Sequence, residues 1–307
     1  MKHKSLGQVF TPDWIVEEIL NSLDFVEENI PFKKIIDPSC GDGAFLKIIV
    51  QKIIDFHLCK KSSIDIIKQN LEECVYGIEI DEIEYNNCIN NLNLIVAHKI
   101  SNEITIDWKV YKGDALKIYK KLVNKFDFVV GNPPYIRIHN LDLSTREILK
   151  KNFIFSKGSL DIYISFFELG FKLLNNKGQL GYISANSYLH NSSYLEFRKY
   201  LKEKRAIKSI TDFKANKIFK NFSTYTAITI INFYEKNNMF LYKELFNNKI
   251  TILNEIMYKD ITHKDWSFSG KENMNFLKEL YSNTNKKVSH FQYFFRLVKI
   301  KEMLKPK

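Results

Sequence analysis

The chain has 307 residues, of which 45% are hydrophobic and 26% are charged, so its composition is that of a folded globular protein and excludes a disordered, collagen-like or coiled-coil chain. Lysine and arginine number 46 against 35 aspartate and glutamate residues, which gives a formal net charge of +11. This charge favours a polyanionic partner such as nucleic acid or an anionic membrane surface, with a merely lysine-rich composition as the alternative.

The cysteines and the N-terminal segment predict neither a metal site nor membrane insertion. The four cysteines include no C-x-x-C pair and lie near no pair of histidines. The N-terminal segment lacks the apolar core of a signal peptide, and no apolar run approaches the roughly 20 residues needed to cross a bilayer. We therefore expect a cytoplasmic protein with no membrane partner.

Short apolar, β-branched runs alternate with longer amphipathic segments along the first two thirds of the chain. In chain order, the predicted strands are Lys34–Asp37, Val75–Ile80, Thr105–Tyr111, Phe126–Val130, Gln179–Ser184, Ile207–Phe213 and Tyr225–Phe233. The predicted helices are Ala44–Phe56, Glu82–Ala97, Leu160–Leu174 and Ser192–Lys204. This pattern predicts an α/β fold with a seven-stranded, mostly parallel sheet and helices on both faces. Because no long helix separates the last two strands, we expect them to form an antiparallel hairpin at the sheet edge.

The sequence pattern changes after Phe233. From Glu235 to Lys307, asparagine and lysine become more frequent, glycine and proline are nearly absent, and the hydrophobic patterning weakens. We therefore predict a domain of residues 1–234 followed by a short, basic C-terminal appendage of residues 235–307.

A glycine-containing turn follows the first predicted strand, in Asp37-Pro38-Ser39-Cys40-Gly41-Asp42-Gly43. Gly41 and Gly43 lack the Cβ atoms that would hold a ligand away from the backbone, and Asp37 ends a strand where doubly wound folds bind ligands. The turn is not G-x-G-x-x-G, and its two aspartates would repel a pyrophosphate. It therefore favours a ligand with a cationic ammonium group over a dinucleotide.

Two further predicted strands end beside an acidic residue. Glu79 stands where a carboxylate can accept hydrogen bonds from both hydroxyls of a ribose, unless it is simply solvated or caps a helix. Asp114 can accept a hydrogen bond from an adenine amino group, with an N-cap role for a helix that begins near Ala115 as the alternative. Together with Asp37, these acids predict one binding crevice at a single edge of the sheet.

The segment Asn132-Pro133-Pro134-Tyr135 follows a buried apolar strand. Its prolines stiffen the loop, and the Asn132 side-chain oxygen and the Pro133 carbonyl can accept the two protons of an exocyclic amine. Tyr135 offers a face on which a planar base can stack. A purely structural turn is the alternative.

These motifs together resemble the S-adenosylmethionine-dependent amino-methyltransferases, and most closely the gamma-class N6-adenine DNA methyltransferases of restriction-modification systems. The N-terminal cofactor motif of that family is similar to Gly7-Gln8-Val9-Phe10-Thr11-Pro12. This motif precedes the turn segment Asp37–Leu46, and that order of motifs is the one that marks the gamma class. Glutamine-directed relatives also carry Asn-Pro-Pro-Tyr but not this hexapeptide. The resemblance covers about residues 7–233 and extends more faintly to Asn275.

The resemblance implies a Rossmann-like S-adenosylmethionine-dependent methyltransferase fold and assigns roles to particular residues. The implied contacts of the cofactor S-adenosyl-L-methionine are Phe10, Thr11, Pro12, Asp37, Pro38, Cys40, Gly41, Gly43, Glu79, Ile80, Asp114 and Ala115. The implied catalytic residues are Asn132, Pro133, Pro134 and Tyr135. The target base is expected to stack between Tyr135 and Phe219. Phe222 is the alternative to Phe219, and either phenylalanine could instead belong to the core.

The implied function is site-specific transfer of a methyl group to the N6 amine of an adenine flipped out of double-stranded DNA, as the modification part of a restriction-modification system. Within residues 198–220, nine lysines and arginines stand against two acids, which indicates either a phosphate-contacting surface or a solvated helix face.

Members of the family usually continue, after a segment resembling Trp266-Ser267-Phe268, into a larger target-recognition domain, so residues 235–307 resemble a truncated form of it. The alternatives are a modification subunit that uses a separate specificity or restriction chain, an inactive cofactor-binding remnant, and a compact enzyme of relaxed specificity. A glutamine-directed protein methyltransferase is less favoured.

Overall fold

The structure, a computed structural model, describes residues 11–26, 29–156, 161–216, 218–219, 224–246, 249–264, 266 and 268. In chain order, its helices are α1 (Asp13–Ser22), α2 (Ala44–Cys59), α3 (Ile64–Cys74), α4 (Glu82–Lys99), α5 (Ala115–Ile118), α6 (Leu143–Asn152), α7 (Tyr163–Leu173) and α8 (Leu195–Lys204). Its strands are β1 (Ile35–Asp37), β2 (Val75–Glu79), β3 (Lys109–Lys112), β4 (Phe126–Gly131), β5 (Leu174–Ala185), β6 (Ile207–Asp212), β7 (Thr226–Asn232), β8 (Met239–Phe246) and β9 (Lys249–Met257).

The strands form one sheet in the order β3-β2-β1-β4-β5-β7-β6-β8-β9. β1 to β5 are parallel to their neighbours within this group, so all five end at the same edge, which we call the carboxyl edge. β7 runs antiparallel between β5 and β6, while β8 pairs with β6 in parallel and with β9 in an antiparallel hairpin. The predicted α/β class with a mostly parallel sheet is therefore confirmed.

The number of strands and the position of the antiparallel hairpin differ from the prediction. The sheet of the described residues has nine strands rather than seven, because β8 and β9 extend it beyond β6. The antiparallel β6 and β7 consequently lie inside the sheet. In β9 only Asn254 and Ile256 are buried, and Ile252 and Leu253 are exposed, so the apolar residues do not mark a buried face as they do in a half-buried strand.

The sheet also continues across the predicted domain boundary near Tyr234, because β8 pairs with β6 on the far side of it. The chain divides instead after Ser267, into residues 1–267 and residues 268–307. Of the predicted C-terminal region 235–307, the first part thus belongs to the sheet, and beyond Ser267 only Phe268 is described.

Different helices cover the two faces of the sheet. Phe128 and Val130 of β4 share a hydrophobic cluster with residues of α1 and α2. Val129 points to the opposite face, where α7 packs so closely that a Cβ at Gly170 would overlap with Leu180 and lie 3.4 Å from Val129. The predicted placement of helices on both faces is thus observed.

Arg198 is fully buried, although it opens the basic run in the sequence. Its guanidinium donates to the backbone carbonyls of Tyr188, Asn191, His263 and Lys264 at 2.7 to 2.9 Å. The arginine therefore connects the segment after β9 to the loop after β5. For Arg198, neither the phosphate-contacting surface nor the solvated helix face is observed.

Two lysines of the same run form ion pairs with aspartates of this chain. Lys208 Nζ lies 2.9 Å from Asp24 Oδ2, and Lys214 Nζ lies 3.1 Å from Asp212 Oδ2. Lys217 and Lys220 lie outside the described residues.

We predict that Arg198→Met lowers the free energy of unfolding by about 3 kcal/mol or more, because buried carbonyl groups lose a charged donor that methionine cannot replace. Urea denaturation followed by circular dichroism measures the change. Lys199→Met, on the exposed face of α8, is the matched control and should be nearly neutral. Equal stability of the two variants would contradict a structural role for Arg198.

Candidate functional site

A cavity of about 430 Å³ opens at the carboxyl edge, where β1 to β4 end. Asp37, Glu79, Asp114 and Asn132 all line it, although they follow four different strands. The structure therefore brings together the three acids and the amide that the sequence placed at strand ends.

The ends of β1 and β4 approach each other closely because residue 131 is glycine. Gly131 has φ of +150°, and a Cβ on it would lie 2.6 Å from Asp37 Oδ1. The same carboxylate oxygen accepts a hydrogen bond from the backbone N–H of Ser39 at 2.9 Å. The buried Asp37 side chain is thus fixed between the first turn and the residue that precedes Asn132.

Glu79 links the end of β2 to the glycine turn. Its Oε2 accepts a hydrogen bond from the Gly41 N–H at 2.8 Å, and its Oε1 accepts one from the Asp81 N–H at 2.8 Å. Gly41 adopts a left-handed φ of +54°, with no heavy atom within 4 Å of the position of a Cβ. The turn therefore offers an open backbone cradle next to a buried carboxylate.

The cavity is acidic, although the whole chain carries an excess of positive charge. Among the described residues, its wall contains one lysine, Lys117, which lies 3.4 Å from Asp114, and six acids, Asp37, Asp42, Glu79, Glu84, Asp114 and Asp142. Burial raises the pKa of Asp37 to about 8, and the neighbouring Glu79 adds to this rise. Burial also raises the pKa of Glu79. A cationic group in the cavity would relieve this concentration of carboxylates.

Asp114 serves the helix-capping role that the sequence left open and also lines the cavity. Its side chain accepts a hydrogen bond from the Leu116 N–H at 3.0 Å at the start of α5. Ala115 and the exposed Ile80 line the same wall. The capping hydrogen bond fixes Asp114 at the rim.

Asn132 is held by a residue that precedes the first helix. Its Nδ2 donates a hydrogen bond to Thr11 Oγ1 at 3.2 Å, and both residues line the cavity. Pro134 also lines the cavity, whereas Pro133 and the half-buried Tyr135 are absent from its described wall. Burial raises the pKa of Tyr135, so its hydroxyl stays protonated.

Of the remaining residues predicted to contact the cofactor, some line the cavity and others do not. Pro38 and the buried Cys40 line the cavity, and a hydrogen bond with Cys88 together with burial raises the pKa of the Cys40 thiol. Pro12 and Gly43 precede α1 and α2 as their N-cap residues and do not line the described wall.

The predicted aromatic partners of Tyr135 are not seen at the cavity. Phe219 is 4% exposed and belongs to the hydrophobic cluster with Phe213 and Ile228, which favours the core alternative. Phe10 and Phe222 lie outside the described residues, as do Gly7, Gln8 and Val9.

One wall of the cavity was not predicted from the sequence. It is formed by Ile136, Asn140, Leu141, Asp142, Thr145, Ile162 and Phe166. The wall is held by the Ile162 N–H, which donates to the Ile136 carbonyl at 2.7 Å, and by the start of α6. There Asp142 Oδ1 accepts from the Thr145 N–H at 2.9 Å. An aspartate directly before the first apolar residue of a helix, as Asp142 stands before Leu143, is an N-cap signal from which α6 could have been predicted.

Within the part of the chain that the structure describes, no cluster of three or more histidine, cysteine or acidic side chains is arranged to bind a metal ion. No helix of that part combines the length and apolarity needed to cross a membrane.

We predict that Asp37→Asn stabilises the ligand-free protein and does so more strongly as pH rises. Because the folded-state pKa of about 8 lies above the ordinary aspartate value of 3.8, the carboxyl ionises first in the unfolded chain as pH rises, and the stability of the wild-type protein falls between these two pH values. Thermal unfolding at pH 5 and pH 8 should show the larger gain at pH 8. Asp65→Asn, on the exposed start of α3, controls for the loss of one charge, and an equal gain at both pH values would contradict the prediction.

Comparison with known proteins supports the resemblance that the motifs indicated. The profile of the Eco57I restriction-modification methylase family matches residues 73–219. The Type II methyltransferase M.BstVI of Geobacillus stearothermophilus is 27% identical over 255 residues, which cover 80% of this chain and 46% of the relative. The Type I restriction enzyme MjaVII methylase subunit of Methanocaldococcus jannaschii is 31% identical over 148 residues, which cover 48% of this chain and 21% of the relative. The chain thus spans less than half the length of these relatives.

The fold is shared with a solved methyltransferase. A putative class I S-adenosylmethionine-dependent methyltransferase from Listeria monocytogenes superimposes with a TM-score of 0.55 at 18% identity, covering 76% of this chain and 65% of that chain. The predicted Rossmann-like methyltransferase fold and the resemblance to restriction-modification methyltransferases are confirmed.

Proposed function

We propose that the chain is an S-adenosylmethionine-dependent DNA methyltransferase that acts on the N6 amine of a flipped adenine, as the modification part of a restriction-modification system. The observation that carries the proposal is the Asn132 amide, which lines the same cavity as Asp37 and Glu79 while its nitrogen donates to Thr11. The name of the relative M.BstVI, a Type II methyltransferase, agrees with this function.

The residues of the cavity fit S-adenosylmethionine. Asp37 would bind the ammonium of its amino-acid end, Glu79 the ribose hydroxyls, and Asp114 with Ala115 the adenine. The open cradle at Gly41 and the excess of carboxylates in the wall support this assignment. When bound, the cofactor would supply a methyl group on a positively charged sulfonium, which is an electrophile.

Asn132 and Pro133 would prepare the adenine amine. The lone pair of this amine is delocalised into the ring, so the amine is a poor nucleophile. Acceptors at the Asn132 side-chain oxygen and the Pro133 carbonyl would hold its two protons and favour a pyramidal nitrogen. No formal base is required, and positioning and electrostatics would supply most of the acceleration.

The target adenine would have to leave the duplex, because a cavity between strand ends does not admit a paired base. Stacking on Tyr135 would offset part of the few kcal/mol that unpairing costs. The second aromatic, Phe219, would have to leave its buried position to contribute, so Tyr135 is the better supported of the two.

A modification subunit that takes its specificity from a separate chain is the second candidate. The 31% identity to a Type I methylase subunit favours it. The two candidates differ in whether this chain methylates DNA on its own, so the assay below is carried out with and without a candidate specificity chain.

We predict that Asn132→Ala lowers kcat for methyl transfer to duplex DNA by about 100-fold or more and leaves the Kd of the cofactor within about twofold, because the amide acts on the substrate amine. Transfer of labelled methyl groups to genomic DNA measures kcat, and calorimetry measures the Kd.

Asn176→Ala, on the exposed start of β5 at the opposite edge of the sheet, is the matched control and should behave as wild type. Activity of Asn132→Ala within a few fold of wild type would remove Asn132 from the catalytic role. An N4-methylcytosine or methylglutamine product would show that the proposed substrate is wrong.

We predict that Glu79→Gln weakens binding of the demethylated product, S-adenosylhomocysteine, by about 1–3 kcal/mol. Glutamine has a single acceptor oxygen, so in either orientation of its amide one of the Gly41 and Asp81 N–H groups faces the amide nitrogen and loses its acceptor. The ribose hydroxyls would lose an acceptor in the same way. Calorimetry measures the change, with Glu82→Gln in an exposed ion pair with Lys112 as the control. Binding as tight as that of the control would refute the ribose assignment.

A further inference from the structure

The hydrogen bond between Asn132 and Thr11 joins two residues that are distant in sequence. Asn132 Nδ2 donates to Thr11 Oγ1 at 3.2 Å, and Thr11 is 7% exposed. The resemblance implies only a cofactor contact for Thr11. We propose that Thr11 is a positioning residue, whose hydroxyl accepts from the amide nitrogen whenever the Asn132 side-chain oxygen faces the substrate amine.

The two ends of a primary amide have nearly the same shape and opposite hydrogen-bonding character. A substrate amine has protons to donate, so the Asn132 oxygen must face it and the amide nitrogen must face away. In this orientation the nitrogen points at Thr11 Oγ1. Without an acceptor there, the productive orientation would lose the hydrogen bond that the amide nitrogen now makes to Thr11, which is costly in a buried position. The Thr11 hydroxyl therefore stabilises the orientation of Asn132 in which its side-chain oxygen faces the substrate amine.

The position of Thr11 is fixed by a helix that is anchored in the core. Thr11 directly precedes Pro12, the N-cap of α1, and Ile15, Val16, Ile19 and Leu20 of α1 are all buried. α1 lies against the sheet so closely that a Cβ at Gly181 of β5 would lie 2.7 Å from Ile19 Cγ2. A hydroxyl on such a support can hold the amide to within a few tenths of an ångström, which a site on a long loop achieves less well.

Two other roles for Thr11 make different predictions. If Thr11 only binds the cofactor, removing its hydroxyl raises the Kd of the cofactor and leaves Asn132 unchanged. If it only supports the fold, removing the hydroxyl lowers the melting temperature, and Thr11→Ser does not specifically restore the behaviour of the Asn132 amide. Thr11→Val keeps the shape of the side chain and removes the hydroxyl, whereas Thr11→Ser keeps the hydroxyl.

The first test does not depend on activity. In the full chain labelled with ¹⁵N-asparagine and bound to S-adenosylhomocysteine, the side-chain NH₂ signals of Asn132 are identified by their loss in Asn132→Asp. We expect Thr11→Val to shift these signals and to speed their exchange with water, and Thr11→Ser to retain the wild-type signals. Thr11→Ala serves as the second hydroxyl-free variant if valine is not accommodated.

The second test is kinetic and rests on the proposed function. We expect Thr11→Val to lower kcat for DNA methylation by roughly 10-fold to 100-fold with the Kd of the cofactor within about twofold, and Thr11→Ser to restore most of kcat.

Unchanged Asn132 signals in both hydroxyl-free variants would overturn the inference, as would a kcat effect that serine does not restore. A wild-type chain that methylates no DNA in any assay would refute the proposed function, whereas the Asn132 signals would still decide the role of Thr11.

Discussion

The contact between the end of β1 and the end of β4 is the constraint on which the rest of the site depends. Asp37 approaches the backbone of residue 131 so closely that any side chain there would collide with its carboxylate. Because the two strands are parallel neighbours, this approach sets the carboxylate beside the segment that begins with Asn132. The distance between the Asp37 carboxyl and the Asn132 amide is therefore determined by the sheet itself rather than by a flexible loop.

The same contact makes a charged Asp37 carboxylate costly for the protein. Asp37 is buried beside a second buried acid, so burial holds the pKa of its carboxyl near 8 and opposes the charge that a cationic ligand would require. Both oxygens of the Glu79 carboxylate accept hydrogen bonds from backbone N–H groups. These hydrogen bonds orient the carboxylate without neutralising its charge. The acidic cavity and the basic excess of the whole chain fit a cationic small molecule inside and a polyanion outside.

The sequence predicted those parts of the site whose position follows from a single rule of local structure. Because parallel strands end at one edge, the sequence alone predicts that Asp37, Glu79, Asp114 and Asn132 lie together. The remaining features depend on contacts between segments that are distant in sequence. The bond from Asn132 to Thr11, the burial of Arg198 on backbone carbonyls and the packing of Phe219 have no local signal. β9 was missed because its apolar residues do not mark a buried face, whereas α6 could have been found from its Asp142 cap.

The central claim, that the cavity at the carboxyl edge presents the N6 amine of adenine to a methyl donor, is tested most directly by nucleoside mass spectrometry. The full chain is expressed in a bacterial host that has no DNA methylation of its own, alone and together with a candidate specificity chain. The account predicts N6-methyladenine in the host DNA and its absence when Asn132→Ala is expressed instead. Methylation of cytosine, or equal amounts of N6-methyladenine with both proteins, would contradict it.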